Sequence, residues 1–453
     1  MRTVHANFVQ KTKSIQAKHA EVVHAKHMRS ALLLFLASAS LTAFGQRPID
    51  TALAARCFQE AKWASDDDGG KLWGKPLYGP MIFVDPETRN VVANQADNEG
   101  KLKLSDGVWI GVIPKEALIA NTATDWAGVH WTMVLLPLPD APANRTLLMM
   151  HECWHRIQET VGLPGARPDN SHLDTRDGRI WLRLEYRALS LALISWGPER
   201  TQAITDALVF RAKRRTLFPT ATANEDRMEV HEGMAEYSGI RMMGLGDWGR
   251  RSYLSGRIKM NAQKPSYPFS FAYETGPAYG LLLDVNGKDW RPKLSPKSSI
   301  SDLLKVNEGI TLPSDIAASA NVRASAYSGA QVISEEEARE QKRVTSEKKY
   351  RKELIDGPVL VLPMPGHNFT FDPNDTFPMG ADGIVFPSTQ ISDDWGILEV
   401  TGGVRVNKAY DTAFVPAPTG VNLLQTKGWK LTLKPGWKLV PGSRKGDFTV
   451  AKG

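Results

Sequence analysis

His151 and His155 lie four residues apart in the run His151-Glu152-Cys153-Trp154-His155. On an α-helix this spacing sets two imidazoles one turn apart on one face, where both can bind the same metal ion. Glu152, next to the first histidine, is placed to take a proton from a water held at that ion. The chemistry implied is metal-assisted hydrolysis, with zinc the ion that this pattern ordinarily binds. A catalytic zinc takes three protein ligands and keeps one position for water, so a third donor must come from elsewhere in the chain.

Two segments offer one. From Asn224 onward a predicted helix carries Glu225, Glu229, Glu232 and Glu236 at spacings that put all four on one stripe. Like charges so arranged repel unless a cation or hydrogen-bond donors face them, the plain alternative being a solvated acidic face. Glu185, in Leu184-Glu185-Tyr186-Arg187, is the rival ligand on a predicted helical stretch over 179–215 that breaks at Gly197-Pro198. The histidines themselves sit on a predicted helix from Asn144 to Val161, ended by Gly162, Pro164 and Gly165. Cys153 falls about 200° around that helix from His151 and so points into the core. With Cys57 as its sole possible partner, a free buried thiol is expected, and a disulfide is the alternative. His172 and His367 have no partner pattern and read as loop residues.

The segment His231-Glu232-Gly233-Met234-Ala235-Glu236-Tyr237 resembles the Asn-Glu-Gly-x-Ala-x-Tyr segment of gluzincin metallopeptidases of the aminopeptidase-N-like and glycyl-aminopeptidase-like kind. The resemblance implies a zincin-like domain with one Zn2+ held by His151, His155 and Glu232. Gly233 would let another helix approach closely, and Glu236 would accept a hydrogen bond from a ligand histidine and fix its tautomer. Phe271-Ala272-Tyr273-Glu274-Thr275-Gly276, followed by Leu281-Leu282-Leu283-Asp284, is similar to the family's Tyr-x-Lys-Gly helix. That likeness gives Tyr273 the hydrogen bond to the oxyanion, with Tyr279 as the alternative. The likeness spans roughly 144–284 and has departures. The family keeps its second histidine much closer to its glutamate than the 76 residues that separate His155 from Glu232, whereas 29 separate His155 from Glu185. Thr275 replaces the family lysine and His231 the asparagine, and no Gly-x-Met-x-Asn segment is present, which weighs against amino-terminal trimming.

Around these residues the chain must build a scaffold. Apolar or β-branched runs at 79–85, 107–113 and 130–137, separated by Pro, Gly, Asn and Asp, predict strands ahead of the histidine helix and an α+β fold. An extended peptide could lie along an edge strand near 131–137. Residues 334–355 alternate in charge and read as a solvated helix or linker. From Gly357 the pattern is that of a small β domain, in which Gly428-Trp429-Lys430-Leu431 and Gly436-Trp437-Lys438-Leu439 read as two arms of a hairpin. Their tryptophans serve packing, or a carbohydrate surface. The organisation expected is an extension and signal over 1–45 (the signal at 28–45), a zincin-like catalytic domain over 46–290, a helical and charged linker over 291–356 and an all-β domain over 357–453.

At 453 residues, 42% hydrophobic and 23% charged, the chain suits a soluble protein of several domains. Its net charge is +7, but the first 45 residues hold +5 of it, so the remainder gives no support for a nucleic-acid partner. Met28-Arg29-Ser30, the apolar run Ala31 to Phe44 and the small-residue end at Gly45 form a secretory signal, with an uncleaved anchor as the alternative. No other stretch approaches the roughly 20 apolar residues of a membrane span. The expectation is an exported, periplasmic or secreted zinc metallopeptidase acting on a peptide or protein. The alternatives are a catalytically silent, zinc-binding envelope interaction protein and a zinc hydrolase of non-peptide substrates.

Overall fold

The computed structural model describes residues 49–114, 117–287, 289–371 and 376–453, so the signal expected at 28–45 and the rest of the 1–45 extension lie outside it. Helix α1 (Thr51–Asp68) leads into a six-stranded sheet of β1 (Met81–Val84), β2 (Asn90–Ala93), β3 (Lys103–Ser105), β4 (Val108–Val112), β5 (Thr122–Trp126) and β6 (Val129–Leu135). The order is β3-β4-β2-β1-β6-β5, antiparallel except for the parallel pair β1–β6. All four residues of β1 are buried because both faces are covered. Phe83 and Val134 face Phe58 of α1 and the helical core. Ile82, Val84, Trp131 and Met133 form a separate cluster on the other face. The three predicted strands are present. Strand β6 is interior, however, and the edge beside it is β5, because the β5–β6 hairpin adds one more strand outside the 131–137 run.

Next come α2 (Pro142–Ile157), α3 (Arg176–Ile194), α4 (Gly197–Leu217), α5 (Thr222–Met228), a π-helical turn (Glu229–Gly233), α6 (Met234–Met242), α7 (Asp247–Asn261) and α8 (Ala272–Asp284). Pro142 opens α2, where its fixed φ suits a first turn. The helix Asn224 was expected to cap starts at Thr222, and Asn224 instead donates to the Asp169 carbonyl. α9 (Ile300–Asn307), α10 (Ile316–Ala324) and α11 (Gly329–Arg351) follow, and Ile300, Leu304, Ala320 and Val332 belong to the same core as α2, α3 and α8. The charged stretch of α11 is thus not a free linker. Its Glu336 is buried and accepts from Arg179 and Arg183 of α3, at 2.7 Å each.

The remaining strands are β7 (Val359–Pro363), β8 (Asn368–Phe371), β9 (Phe377–Pro378), β10 (Ile384–Phe386), β11 (Thr389–Asp393), β12 (Gly396–Val400), β13 (Val404–Val406), β14 (Thr412–Pro416), β15 (Trp429–Leu433), β16 (Trp437–Pro441) and β17 (Phe448–Lys452). Seven form one sheet and four another around a shared core that includes Leu362, Trp395 and Leu398. The chain is therefore α+β, with a helical region followed by carboxy-terminal all-β sheets. The expected hairpin is absent: β15 pairs with β12 and β16 with β17, so Lys434-Pro435-Gly436 carries the chain from one sheet to the other. Trp429 is buried and donates to the Pro416 carbonyl, a packing role. No described helix is long and apolar enough to cross a membrane.

Candidate metal centre

Helix α2 turns Met150, Cys153 and Trp154 into the core and presents His151 and His155 toward the π turn and α6. The π turn widens the helix between Glu229 and Gly233, a distortion that re-aims the side chains beyond it. The carboxylate stripe is split there. Glu225 and Glu229 face arginines of α4, whereas Glu232 and Glu236 face the two histidines.

Three donor atoms converge. His151 Nε2 and His155 Nε2 are 3.2 Å apart, and Glu232 Oε2 lies 3.4 and 3.5 Å from them. Zinc bonds of about 2.0–2.2 Å at tetrahedral angles give ligand–ligand edges of about 3.3–3.6 Å. The triangle fits such an ion, and the three residues form a possible metal-binding triad. Glu152, 4% exposed, has a buried Oε2 with no hydrogen-bond partner. Burial raises its pKa, partly offset by His151 and His155.

The supports are specific. His151 Nδ1 meets Glu236 Oε2 at 2.7 Å, which leaves Nε2 to face the triangle. Arg257 binds the other oxygen of Glu236, the Glu274 carboxylate and the backbone carbonyl of Tyr273, so one guanidinium ties both motif segments together. Burial works against charge on Glu236, but Arg257 and His151 hold its carboxyl down to about 2. Burial likewise opposes the ion at Glu232, yet His151 and His155 hold it far below the carboxylate range. Against its own burial, His151 is raised to about 10 by Glu152, Glu232 and Glu236. Gly233 meets Gly276 of α8 so closely that a Cβ on Gly276 would stand 2.4 Å from the Gly233 Cα, the close approach its glycine implied.

Tyr273 joins the centre. Its hydroxyl donates to Glu232 Oε2 at 2.6 Å and its ring stacks on His151 at 5.4 Å. Glu185 and Tyr279 do not. They hydrogen-bond each other at 2.8 Å in a buried network where Glu185 also accepts from Arg211 and Arg214, so neither reaches the triangle. His172 is no free loop residue either, since its Nε2 pairs with Glu225 of that network at 2.8 Å, while His367 meets the nearby Met364 carbonyl at 2.8 Å. Cys153 and Cys57 are free and buried, and burial pushes the Cys153 thiol up to about 11.

Sequence reasoning missed His231 and Gln158. His231 Nε2 is 3.3 Å from Glu232 Oε1, and the Gln158 side-chain oxygen Oε1 meets the Nδ1 atoms of His231 and His155 at 3.1 and 3.4 Å. The adjacency of His231 to Glu232 was a usable signal; nothing in the spacing marked Gln158. A cavity of about 660 Å³ lies over the triad, with Thr122, Asp125 and His130 of the β5–β6 hairpin on one wall and Arg167 on another. Comparison with protein-family models, curated proteins and solved structures returns no match to this chain.

Proposed function

We propose that the chain is a zinc-dependent metallopeptidase of the gluzincin kind, with a zincin-like catalytic domain over 46–290 and export directed by the Met28 signal. The observation that carries the reading is the triangle of His151, His155 and Glu232 beside the unpartnered carboxylate oxygen of Glu152. A site that only held a metal for structure would need its ligands and nothing more. Zinc held by those three residues would supply Lewis acidity, lowering the pKa of a water and polarising the scissile carbonyl.

The chain's residues do the rest. Glu152 takes the proton as the water oxygen bonds to the carbonyl carbon, then delivers it to the amide nitrogen as the C–N bond breaks. Tyr273 turns its hydroxyl from Glu232 to the oxygen on which negative charge develops. Glu236, fixed by Arg257, keeps His151 in the tautomer that presents Nε2. An extended substrate pairs with the free edge of β5, whose Thr122, Ala123 and Asp125 line the cavity, rather than with interior β6.

The test is cleavage of a peptide library by zinc-loaded protein, read by mass spectrometry, beside Glu152→Gln. Cleavage lost in the variant with zinc retained supports the mechanism. Intact peptides with zinc-loaded wild type reject peptide hydrolysis and leave a non-peptide substrate or a silent binding protein.

A further inference from the structure

The loop after α2 has two working sides. Arg167 faces the metal-site cavity, while its next neighbours Pro168, Asp169 and Asn170 face a second cavity of about 720 Å³. Arg167 and Pro168 are consecutive, so one loop borders both spaces. Opposite that loop, the second cavity is walled by Pro265, Pro268 and Phe269, in the segment leading to α8 and Tyr273, and by Phe377 and Pro378 of β9.

Its surface chemistry selects an occupant. The arginines that border it are engaged: Arg176 pairs with Asp177 and Glu337, Arg339 donates to the Asp174 and Pro265 carbonyls, and Arg343 pairs with Glu340 and Glu347. That leaves little for an anion and favours a neutral, apolar ligand. Phe269 is 66% exposed, an unusual position for a ring beside a cavity of prolines. Asn170 is the second and independent sign. It is 1% exposed, yet neither its Oδ1 nor its Nδ2 has a partner. A primary amide offers one acceptor and two donors, which answer the N–H and C=O of a peptide unit. Proline and aromatic walls, in turn, suit extended chains rich in the same residues.

We propose that this cleft is a secondary binding site for the substrate polypeptide, taking an extended segment with proline and aromatic side chains that lies outside the scissile region. The assignment rests on the peptidase reading and adds the substrate class. Long, extended polypeptides engage both cavities across the 162–170 loop, and short peptides engage the metal site alone.

Binding decides it apart from catalysis. The zinc-loaded Glu152→Gln protein is titrated into two fluorescent peptides and followed by anisotropy. One is a short core; the other is the same core with a proline- and phenylalanine-containing segment of about six residues, about 20 Å when extended, at each end. The extended peptide is expected to bind about tenfold more tightly. A further Phe269→Ala change, at an exposed position that leaves the fold undisturbed, should abolish that advantage and leave the core peptide's affinity alone. Equal affinities for the two peptides, or equal loss for both on Phe269→Ala, would overturn the proposal. If wild-type protein cleaves neither peptide the peptidase reading fails, while the anisotropy result still decides the cleft.

Discussion

Replacing Gly276 with alanine puts a Cβ 2.4 Å from the Gly233 Cα, 3.0 Å from its carbonyl carbon and 3.3 Å from its oxygen. Ordinary contacts at such an atom start near 3.4 Å, so α8 and the π turn must part by about 1 Å, and backbone cannot yield as a side-chain tip can. Overpacking of this kind costs about 1–3 kcal/mol, and a backbone clash belongs at the upper end. For a domain of this size about 3 kcal/mol lowers Tm by about 6–12 °C. The same displacement carries Glu232, next to Gly233, off a triangle whose bonds tolerate only about 0.2 Å. Metal affinity should therefore fall about 10–100-fold alongside the stability. Thermal unfolding in chelator isolates the first effect, and zinc competition with a chromophoric chelator measures the second. Gly256→Ala is the control: it lies inside α7 with nothing near its Cβ, so it should stabilise by about 0.5–1 kcal/mol. A Gly276→Ala protein within about 0.5 kcal/mol of wild type and with unchanged zinc affinity would refute the packing argument.

Glu236→Gln removes the charged acceptor on His151 and should weaken zinc binding about 10–100-fold, read by the same competition; unchanged affinity would deny it an orienting role. The carboxyls of Glu185 and Glu225 lie below the ordinary range, since Arg211 and Arg214 outweigh the burial of the first, and Arg214 and His172 that of the second. Groups depressed in this way stabilise the fold above their unfolded pKa of about 4.3 and lose that contribution as pH falls toward the folded values. Tm in chelator should thus drop on acidification below about pH 4.3, and a Tm that climbs there would contradict the assignment. Glu225→Gln leaves Arg214 short of a partner and should cost about 3–5 kcal/mol at neutral pH, measured by denaturant unfolding. Both thiols should resist a disulfide reagent in the native protein and titrate as two after denaturation; none after denaturation would mean a disulfide.

The centre was legible where local periodicity and chemistry agree. Two histidines at helical spacing with an adjacent glutamate require only a helix, and Pro142 with the later glycines marks its ends. What spacing could not show was long range. The 76 residues between His155 and Glu232 are closed by α3 and α4 packing on each other, and Arg257 enters the site from α7, which carries no recognisable pattern. Strand order was similarly hidden: β5 has only partly buried or exposed residues, so its run is too polar to read as a strand, yet it forms the sheet edge beside the cavity. The alternating charges of α11 read rightly as a largely solvated helix, but buried Glu336 opposite two arginines could not be told from its exposed neighbours in one dimension.

The acidic stripe itself points to the metal once its partners are counted. Glu225 is held by Arg214 and Arg215, Glu229 by Arg211 and Glu236 by Arg257. Glu232 is the exception among the four: its partners are His151, His155, His231 and the Tyr273 hydroxyl, with no arginine or lysine among them. Around it, Glu152, Glu232 and Glu236 set three carboxylates against the single guanidinium of Arg257, which Glu274 shares. A buried cluster this rich in carboxylates is stable only if it takes up protons, as at His151, or binds a cation. Two imidazoles converging with one carboxylate select a borderline-soft divalent ion over calcium or magnesium, which prefer oxygen alone. Exchanging Glu232 for glutamine removes the carboxylate that His151 and His155 hold charged in the metal-free protein, and should also destroy affinity for the ion. Its Tm in chelator at neutral pH should fall below wild type, and the zinc-induced rise expected of wild type should vanish; a variant whose Tm rises with zinc as much as wild type would show that Glu232 does not hold the metal.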